Sequence, residues 1–267
     1  MFELDCKKET ERIVNKIKNT FKEKGFQKAI IGISGGLDSA VIASLCVRAL
    51  GQSNVVGLML PYGVQKDIED SKLLVNSLGI FCMTRNIKPI VDMIPIVING
   101  GVKHNTKKSN EPLSKLRLGN LMARARMIIL FDCSTFYNGL VVGTGNRTEL
   151  MLGYFTLHGD GACALEPIGH LYKTEVRMLA KYLNIPSCII TKHPSAGLWD
   201  GQTDEGELGW KYKHIDDLLH LIYDEKIDCK KLSCLPYGYT EKFMNDIINK
   251  VSKNAFKSKG SIIFKRV

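Results

Sequence analysis

Residues 29–41 read AIIGISGGLDSAV, and the order of their parts decides the fold. AIIGI is short, apolar and β-branched, which reads as a buried strand over 29–33. SGGLDS is a turn whose adjacent glycines reach backbone conformations closed to other residues. DSAVIASLCVRALG, residues 38–51, then reads as a helix stopped by Gly51. Strand, glycine turn and helix in that order open a parallel α/β unit, where ligands bind beyond the carboxyl ends of strands.

The alternation continues outward from this unit. VVGLML (55–60) is a second strand, DIEDSKLLVNSLG (67–79) a helix with an acidic first turn, and FCMTRNI (81–87) a third strand. PIVDMIPIVI (89–98) is an apolar helical segment, and NGGVKHNTKKSNEP (99–112) has no periodicity and reads as a loop. LRLGNLMARARMIILFDCST (116–135) is a long helix, and LVVGTGN (140–146) a fourth strand ending in a second glycine turn. A short helix over 147–153, a loop over 154–172, the helix KTEVRMLAKYL (173–183) and a loop over 193–209 follow. Helices near 214–223 and 239–251 complete the chain, and residues 5–24 form an amphipathic helix ahead of the first strand. The expectation is a Rossmann-type α/β fold, a parallel sheet with helices on both faces. It is one domain over residues 1–267 with a helical portion from about 210.

Composition narrows the class. Hydrophobic residues make up 45% and charged residues 24%, which is ordinary for a globular protein. No run has the length of a membrane span and MFELDCKKETER is too charged for a signal peptide, so the expected place is the cytoplasm. The eight cysteines lie scattered in apolar stretches, as reduced core thiols do. Cys229 and Cys234 are the closest pair, but no histidine cluster supports zinc. The net charge of +10 raises the question of nucleic acid. It resolves into two local clusters, residues 102–120 and the lysine-rich end past Asp246, which read as a solvated loop and tail.

The glycine turn carries the first chemistry. Backbone N–H groups around Gly32, Gly35 and Gly36, with the hydroxyls of Ser34 and Ser39, can grip phosphate oxygens without a lysine. Asp38 would repel a bare phosphate. It makes sense where it holds Mg²⁺ bound to that phosphate, as when pyrophosphate leaves.

SGGLDS resembles the pyrophosphate loop of the N-type ATP pyrophosphatases, whose fold is called adenine nucleotide alpha hydrolase-like. LPYGVQKDIEDS (60–71), GNLMARARM (119–127), VVGTGNRTELMLGYFTLHGD (141–160), PIGHLYKTEVRMLAKYLNIP (167–186) and KHPSAGLWDGQTDEGELG (192–209) stand in the order found in one branch, the NAD synthetases. The resemblance covers roughly residues 10–220. It implies that ATP adenylates the carboxylate of nicotinate adenine dinucleotide (deamido-NAD) and that ammonia displaces AMP to give NAD, with pyrophosphate released. By matched position it implies Asp38 and Glu149 as Mg²⁺ carboxylates, Thr144 at ATP, and Lys173 and Ser195 at the phosphates. Asn120 and Arg124 fall where the family binds the dinucleotide, at a dimer interface, so a homodimer is expected. Tyr154 and Phe155 stack on the pyridine or pack in the core, and Asp160 is the carboxylate placed to receive ammonium and take its proton. Leu157, also assigned to the dinucleotide site, stands where many bacterial members carry a lysine, and Ala164 where they carry an acid. Glutamine-dependent NAD synthetases carry an added amidase domain before the synthetase part, and a separate glutaminase is a possible partner of the others. Only about thirty residues precede SGGLDS, so ammonia itself is the expected nitrogen source. The alternatives are an ATP pyrophosphatase acting on tRNA or another acceptor, and a module that binds ATP without turnover.

Overall fold

The computed structural model describes residues 2–64, 68–100, 114–195, 197–199, 201–228 and 239–260, with side chains left undescribed over 95–100. Its centre is a parallel sheet of β1 (Lys28–Gly32), β2 (Val55–Met59), β3 (Phe81–Thr84) and β4 (Gly139–Val141), in the order β3-β2-β1-β4. Ala29, Ile30 and Ile31 of β1 are all fully buried, as expected of a strand covered on both faces. Its register is Ile30 against Val56 on one side and against Val141 on the other.

Helices cover both faces. On one lie α1 (Cys6–Lys24), α2 (Leu37–Leu50) and α7 (Lys173–Tyr182), sharing a core of Ile17, Phe21, Ile42, Leu45 and Leu179. On the other, Ile30, Val56 and Leu58 meet Val91 of α4 (Lys88–Gly100) and Met122 of α5 (Lys115–Phe136). α3 (Ile68–Leu78) links β2 to β3. A second core forms where α6 (Arg147–Leu152) packs on α10 (Tyr212–Leu219) and α11 (Glu241–Asn254), through Leu152, Ile215, Leu219, Phe243 and Ile247. The switch in strand order falls between β1 and β4, so both glycine turns open at the carboxyl edge of the sheet side by side.

Several boundaries differ from the sequence reading. The strand expected over 140–146 ends at Val141, and beyond it one parallel bridge pairs Val142 with Leu165. Gly143 follows, its N–H donating to the Leu165 carbonyl at 2.9 Å, and a Cβ there would meet Cys163 Sγ and Glu166 Cδ at 2.6 Å, which only glycine avoids. The strand expected to reach residue 87 ends at Thr84. α8 (Ser187–Thr191) was not foreseen, and the loop expected over 193–209 contains α9 (Asp204–Leu208). α4 runs into the loop expected over 99–112; the remainder of that loop, Cys229, Cys234, Lys265 and Arg266 lie outside the described residues. The six described cysteines are free thiols. Among the described residues no helix is long and apolar enough to cross a membrane.

Candidate active site

The SGGLDS turn owes its shape to Gly35, whose φ of 74° lies in the left-handed region. Gly36 caps α2 with extended backbone and no side-chain cap, so the first-turn N–H groups of α2 face the opening. Ser34 Oγ and Ser39 Oγ lie 3.1 Å apart, the Gly36 N–H donates to Ser34 Oγ, and Ser39 Oγ donates to the Gly36 carbonyl. The hydroxyls therefore hold the loop in a form that leaves the helix N-terminus clear for an anion.

Across the opening, α6 begins with a capping box. Asn146 Oδ1 accepts from the Glu149 N–H at 3.1 Å, and Glu149 Oε2 accepts from the Asn146 N–H at 3.3 Å. Asn146 also donates through Nδ2 to Asp38 Oδ1 at 3.0 Å, tying the two glycine turns together. Lys173 then enters from the first turn of α7. Its Nζ lies 2.5 Å from Asp38 Oδ2 and 3.0 Å from Glu149 Oε1, with only 5% of its side chain exposed. Burial alone would favour the neutral amine, but Asp38 and then Glu149 outweigh it and raise the lysine's pKa. One lysine cannot offset two carboxylates, so burial, with Asp38 adding to it, raises Glu149 despite the lysine.

That surplus of negative charge is the local test for a metal. Asp38 and Glu149 are 16% and 18% exposed and present hard oxygen donors to a shared opening, which fits Mg²⁺. Among the described residues no group of three or more His, Cys, Asp or Glu gathers to hold a metal alone. The residues thus suit an ion that brings phosphate oxygens and water with it. A cavity of about 160 Å³ spans this corner and includes Ser34, Asp38, Thr144, Glu149, Lys173 and Ser195.

A larger cavity of about 590 Å³ adjoins it and shares Ser34, Thr144, Tyr154, Asp160 and Ser195 with the smaller one. Asn120, Arg124, Phe155 and Leu157 line its far part. Asn120 Oδ1 accepts from Thr156 Oγ1 at 2.8 Å, and Arg124 donates to the Leu157 carbonyl through Nε and Nη2, both at 3.3 Å. Asp160 accepts from the Thr156 N–H at 2.8 Å. It is open to the cleft but walled by protein on its other sides, and that burial raises its pKa, against the pull of Thr156 and Arg126. The Tyr154 hydroxyl donates to Glu207 at 2.5 Å and Asp204 at 3.3 Å, which pins the ring to the cavity wall.

Every site residue assigned by the sequence reading thus lies at one of the two adjoining cavities or in the SGGLDS turn, whereas Ala164 lines neither cavity. Others were given no role by the sequence reading. Asn146 had a signal, the N-x-x-E spacing of a capping box. Arg126 lies on the larger cavity wall with Nε donating to the Leu60 carbonyl. Asp204 is buried and accepts from the Tyr212 hydroxyl at 3.1 Å, and Lys173 Nζ lies 5.2 Å from the Tyr212 ring centroid. Asp216, fully buried on α10, accepts from Thr148 Oγ1 at 2.5 Å and from the N–H and Oγ1 of Thr174, both at 2.8 Å. Thr148 Oγ1 in turn accepts from the Lys173 N–H at 3.0 Å. α10 therefore staples together the two helix starts that carry Glu149 and Lys173.

Fold and corner together define an adenine nucleotide alpha hydrolase-like protein, with a helix N-terminus for phosphate and a carboxylate–lysine cluster facing it. Comparison with known proteins narrows the class. The chain belongs to the NAD synthase family, whose description matches residues 9–261 and so extends past the residues 10–220 read by resemblance. It is 43% identical over 249 residues to the NH₃-dependent NAD⁺ synthetase of Pelodictyon phaeoclathratiforme, covering 92% of this chain and 85% of that one. Among solved structures it is similar to the NMN synthetase of Francisella tularensis, at 32% identity and a TM-score of 0.84 over 99% of this chain and 100% of that one. It is also similar to the NH₃-dependent NAD synthetase of Campylobacter jejuni, at 34% identity and a TM-score of 0.79 over 98% and 100%.

Proposed function

We propose that this chain amidates the pyridine carboxylate of deamido-NAD with ammonia at the expense of ATP, giving NAD, AMP and pyrophosphate. The observation that carries the reading is Lys173 held between Asp38 and Glu149 at the mouth of a glycine turn, beside a cavity that continues to Asp160. In this reading a carboxylate oxygen of the substrate attacks the α-phosphorus of ATP and pyrophosphate leaves. The α2 first-turn N–H groups, Ser34 and Ser39 bind the departing phosphates, with Thr144 and Ser195 at their edge, and Lys173 neutralises the charge that builds on them. Mg²⁺, when bound through Asp38 and Glu149, screens the phosphate oxygens. Ammonia then adds to the activated carbonyl carbon and AMP departs. Asp160 draws ammonium into the cleft and accepts its proton; its raised pKa suits that exchange. Asn120, Arg124, Tyr154, Phe155 and Leu157 surround the pyridine end. A cytoplasmic homodimer belongs to the same reading. Ile128 and Phe131 of α5 are exposed apolar side chains one turn apart, which a second copy would cover.

The test is AMP formation from ATP, Mg²⁺ and ammonium with deamido-NAD, with nicotinate mononucleotide, or with neither. Deamido-NAD as the better acceptor supports the proposal. A preference for the mononucleotide would move the chain toward the activity named for the Francisella relative. AMP formation indifferent to both would overturn the reading.

A further inference from the structure

The turn after β4, GTGN at residues 143–146, carries Thr144, which lines both cavities. Neither of its glycines, Gly143 and Gly145, has a positive φ, so backbone conformation bars a side chain at neither. What bars it is space. A Cβ on Gly145 would lie 3.1 Å from each carboxylate oxygen of Glu166, and the three atoms nearest to it all belong to that side chain. A Cβ on Gly143 would lie 2.7 Å from Glu166 Oε1. The carboxyl group therefore occupies the room that side chains at 143 and 145 would need.

Backbone bonds hold the two ends of this turn. The Gly143 N–H donates to the Leu165 carbonyl and the Ala164 N–H to that of Val141, both at 2.9 Å. Asn146 is fixed by the α6 capping box and by its bond to Asp38. Thr144 and Gly145 lie between these anchors, with Glu166 packed against Gly145. Glu166 Oε2 is enclosed and has no hydrogen-bond partner among the described residues. Burial pushes the pKa of Glu166 up to about 7 against the pull of Cys163 and the Gly145 backbone, and Asp160 and Asp38 add to the rise. Both observations favour the neutral acid, for which glutamine is the near-isostere. Glu166 lines neither cavity, so its influence on a ligand runs through the turn.

We propose that Glu166 is a positioning residue for adenylation: its carboxyl group wedges the GTGN turn and so sets where Thr144 stands between the two cavities. The inference rests on the functional reading above and adds to it the residue that keeps the two substrates aligned. A misplacement of about 1 Å between reacting groups costs on the order of a hundredfold in rate.

The experiment is single-turnover pyrophosphate release from ATP, Mg²⁺ and deamido-NAD without ammonia. It compares wild type, Glu166→Gln, Glu166→Ala, Gly145→Ala and the double variant Gly145→Ala/Glu166→Ala. The rate constant is read rather than the amplitude, because a variant that only folds less well loses amplitude. Glu166→Ala should slow the step by about tenfold to a hundredfold, with half-saturating ATP little changed because the SGGLDS turn still grips the phosphates. Glu166→Gln should keep most of the wild-type rate constant. Gly145→Ala should slow the step by displacing the carboxyl group, and should cost nothing further once Glu166 is replaced by alanine. A wild-type rate constant in Glu166→Ala, a glutamine variant as slow as the alanine one, or an equal Gly145→Ala penalty in both backgrounds overturns the inference. Should the variants with Glu166→Ala not fold, Glu166→Asp, shorter by one carbon, takes its place with the same outcomes deciding. The functional reading fails separately, if wild type releases no pyrophosphate in response to deamido-NAD.

Discussion

Replacing Asp216 separates the two things its carboxylate does, satisfying donors and carrying charge. It is fully buried and accepts from Thr148 Oγ1, Thr174 N–H and Thr174 Oγ1. Asp216→Ala leaves these donors without a partner; the hydroxyls can turn elsewhere, but the Thr174 N–H cannot. The expected loss is roughly 2–4 kcal/mol at pH 7.5, with the displaced Lys173 lowering pyrophosphate release by about a hundredfold. Asp216→Asn keeps an oxygen for Thr174 and turns its NH₂ toward Thr148 Oγ1, so the staple survives. Burial pushes Asp216 up to about 6 from 3.8, against the pull of its hydrogen bonds to Thr148 and Thr174. A folded-state pKa above the unfolded one means the acid's contribution is whole below about pH 4 and is lost as pH rises through about 6. The asparagine does not titrate. Asp216→Asn should therefore gain on wild type by roughly 3 kcal/mol between pH 4 and 7.5, about two pKa units at 1.36 kcal/mol each. Urea unfolding of the three proteins across that range reads the gap directly. A gap that stays flat with pH, or an asparagine variant as damaged as the alanine one at pH 7.5, refutes the reasoning.

Asp38→Asn or Glu149→Gln should abolish pyrophosphate release in a single turnover without ammonia, by about a thousandfold or more, if these carboxylates carry Mg²⁺ on the phosphates. Asp160→Ala should still release pyrophosphate and then lose about 10²–10⁴-fold in NAD formation when ammonium is added; failure at the first step would place Asp160 with the phosphates. Tyr154→Phe removes the bonds to Asp204 and Glu207 that hold the ring. It should raise KM for deamido-NAD severalfold with kcat little changed, and an unchanged KM would deny the ring a place in binding. Ile128→Glu on the exposed α5 face should convert a dimer to monomer in sedimentation at micromolar concentration, whereas a wild type that is active as a monomer would end the dimer proposal.

The main architecture was legible because each strand and helix start carries local punctuation. AIIG followed by SGGLDS, and VVGTGN followed by RTE, mark the two turns, and sheet topology brings them together. Asp38 stood out from the turn that holds it, whereas Glu149 and Lys173 were named only through the resemblance to the NAD synthetases. Where pairing stops could not be read: LVVGTGN is apolar throughout its first part, but the strand ends at Val141 and the Gly143 N–H turns to the Leu165 carbonyl, a partner far along the chain. α8 was missed because PSCIIT is short and β-branched, neither a long helical period nor an alternating strand. Asp216, Tyr212 and Lys257 looked like ordinary members of amphipathic helices and a basic tail. Their roles come from contacts across tens of residues of chain, Lys257 reaching back 104 positions to Gly153, and a sequence window contains only one end of each.

α6 is also a ruler. Glu149 stands in its first turn at the smaller cavity, and Tyr154 and Phe155 leave its far end at the wall of the larger one. Its six residues span about 9 Å along the axis, since an α-helix rises 1.5 Å per residue. Adding one residue would lengthen that span only slightly, yet it would swing the far end through about 100°. The tyrosine would then leave Asp204 and Glu207, and the carbonyls at the far end would leave Asn254 and Lys257, so the two cavities would lose their present alignment. Point changes on the outer face of this helix are expected to be mild, while a single residue inserted between Leu150 and Leu152 is expected to abolish the proposed activity without altering any residue assigned to binding or reaction.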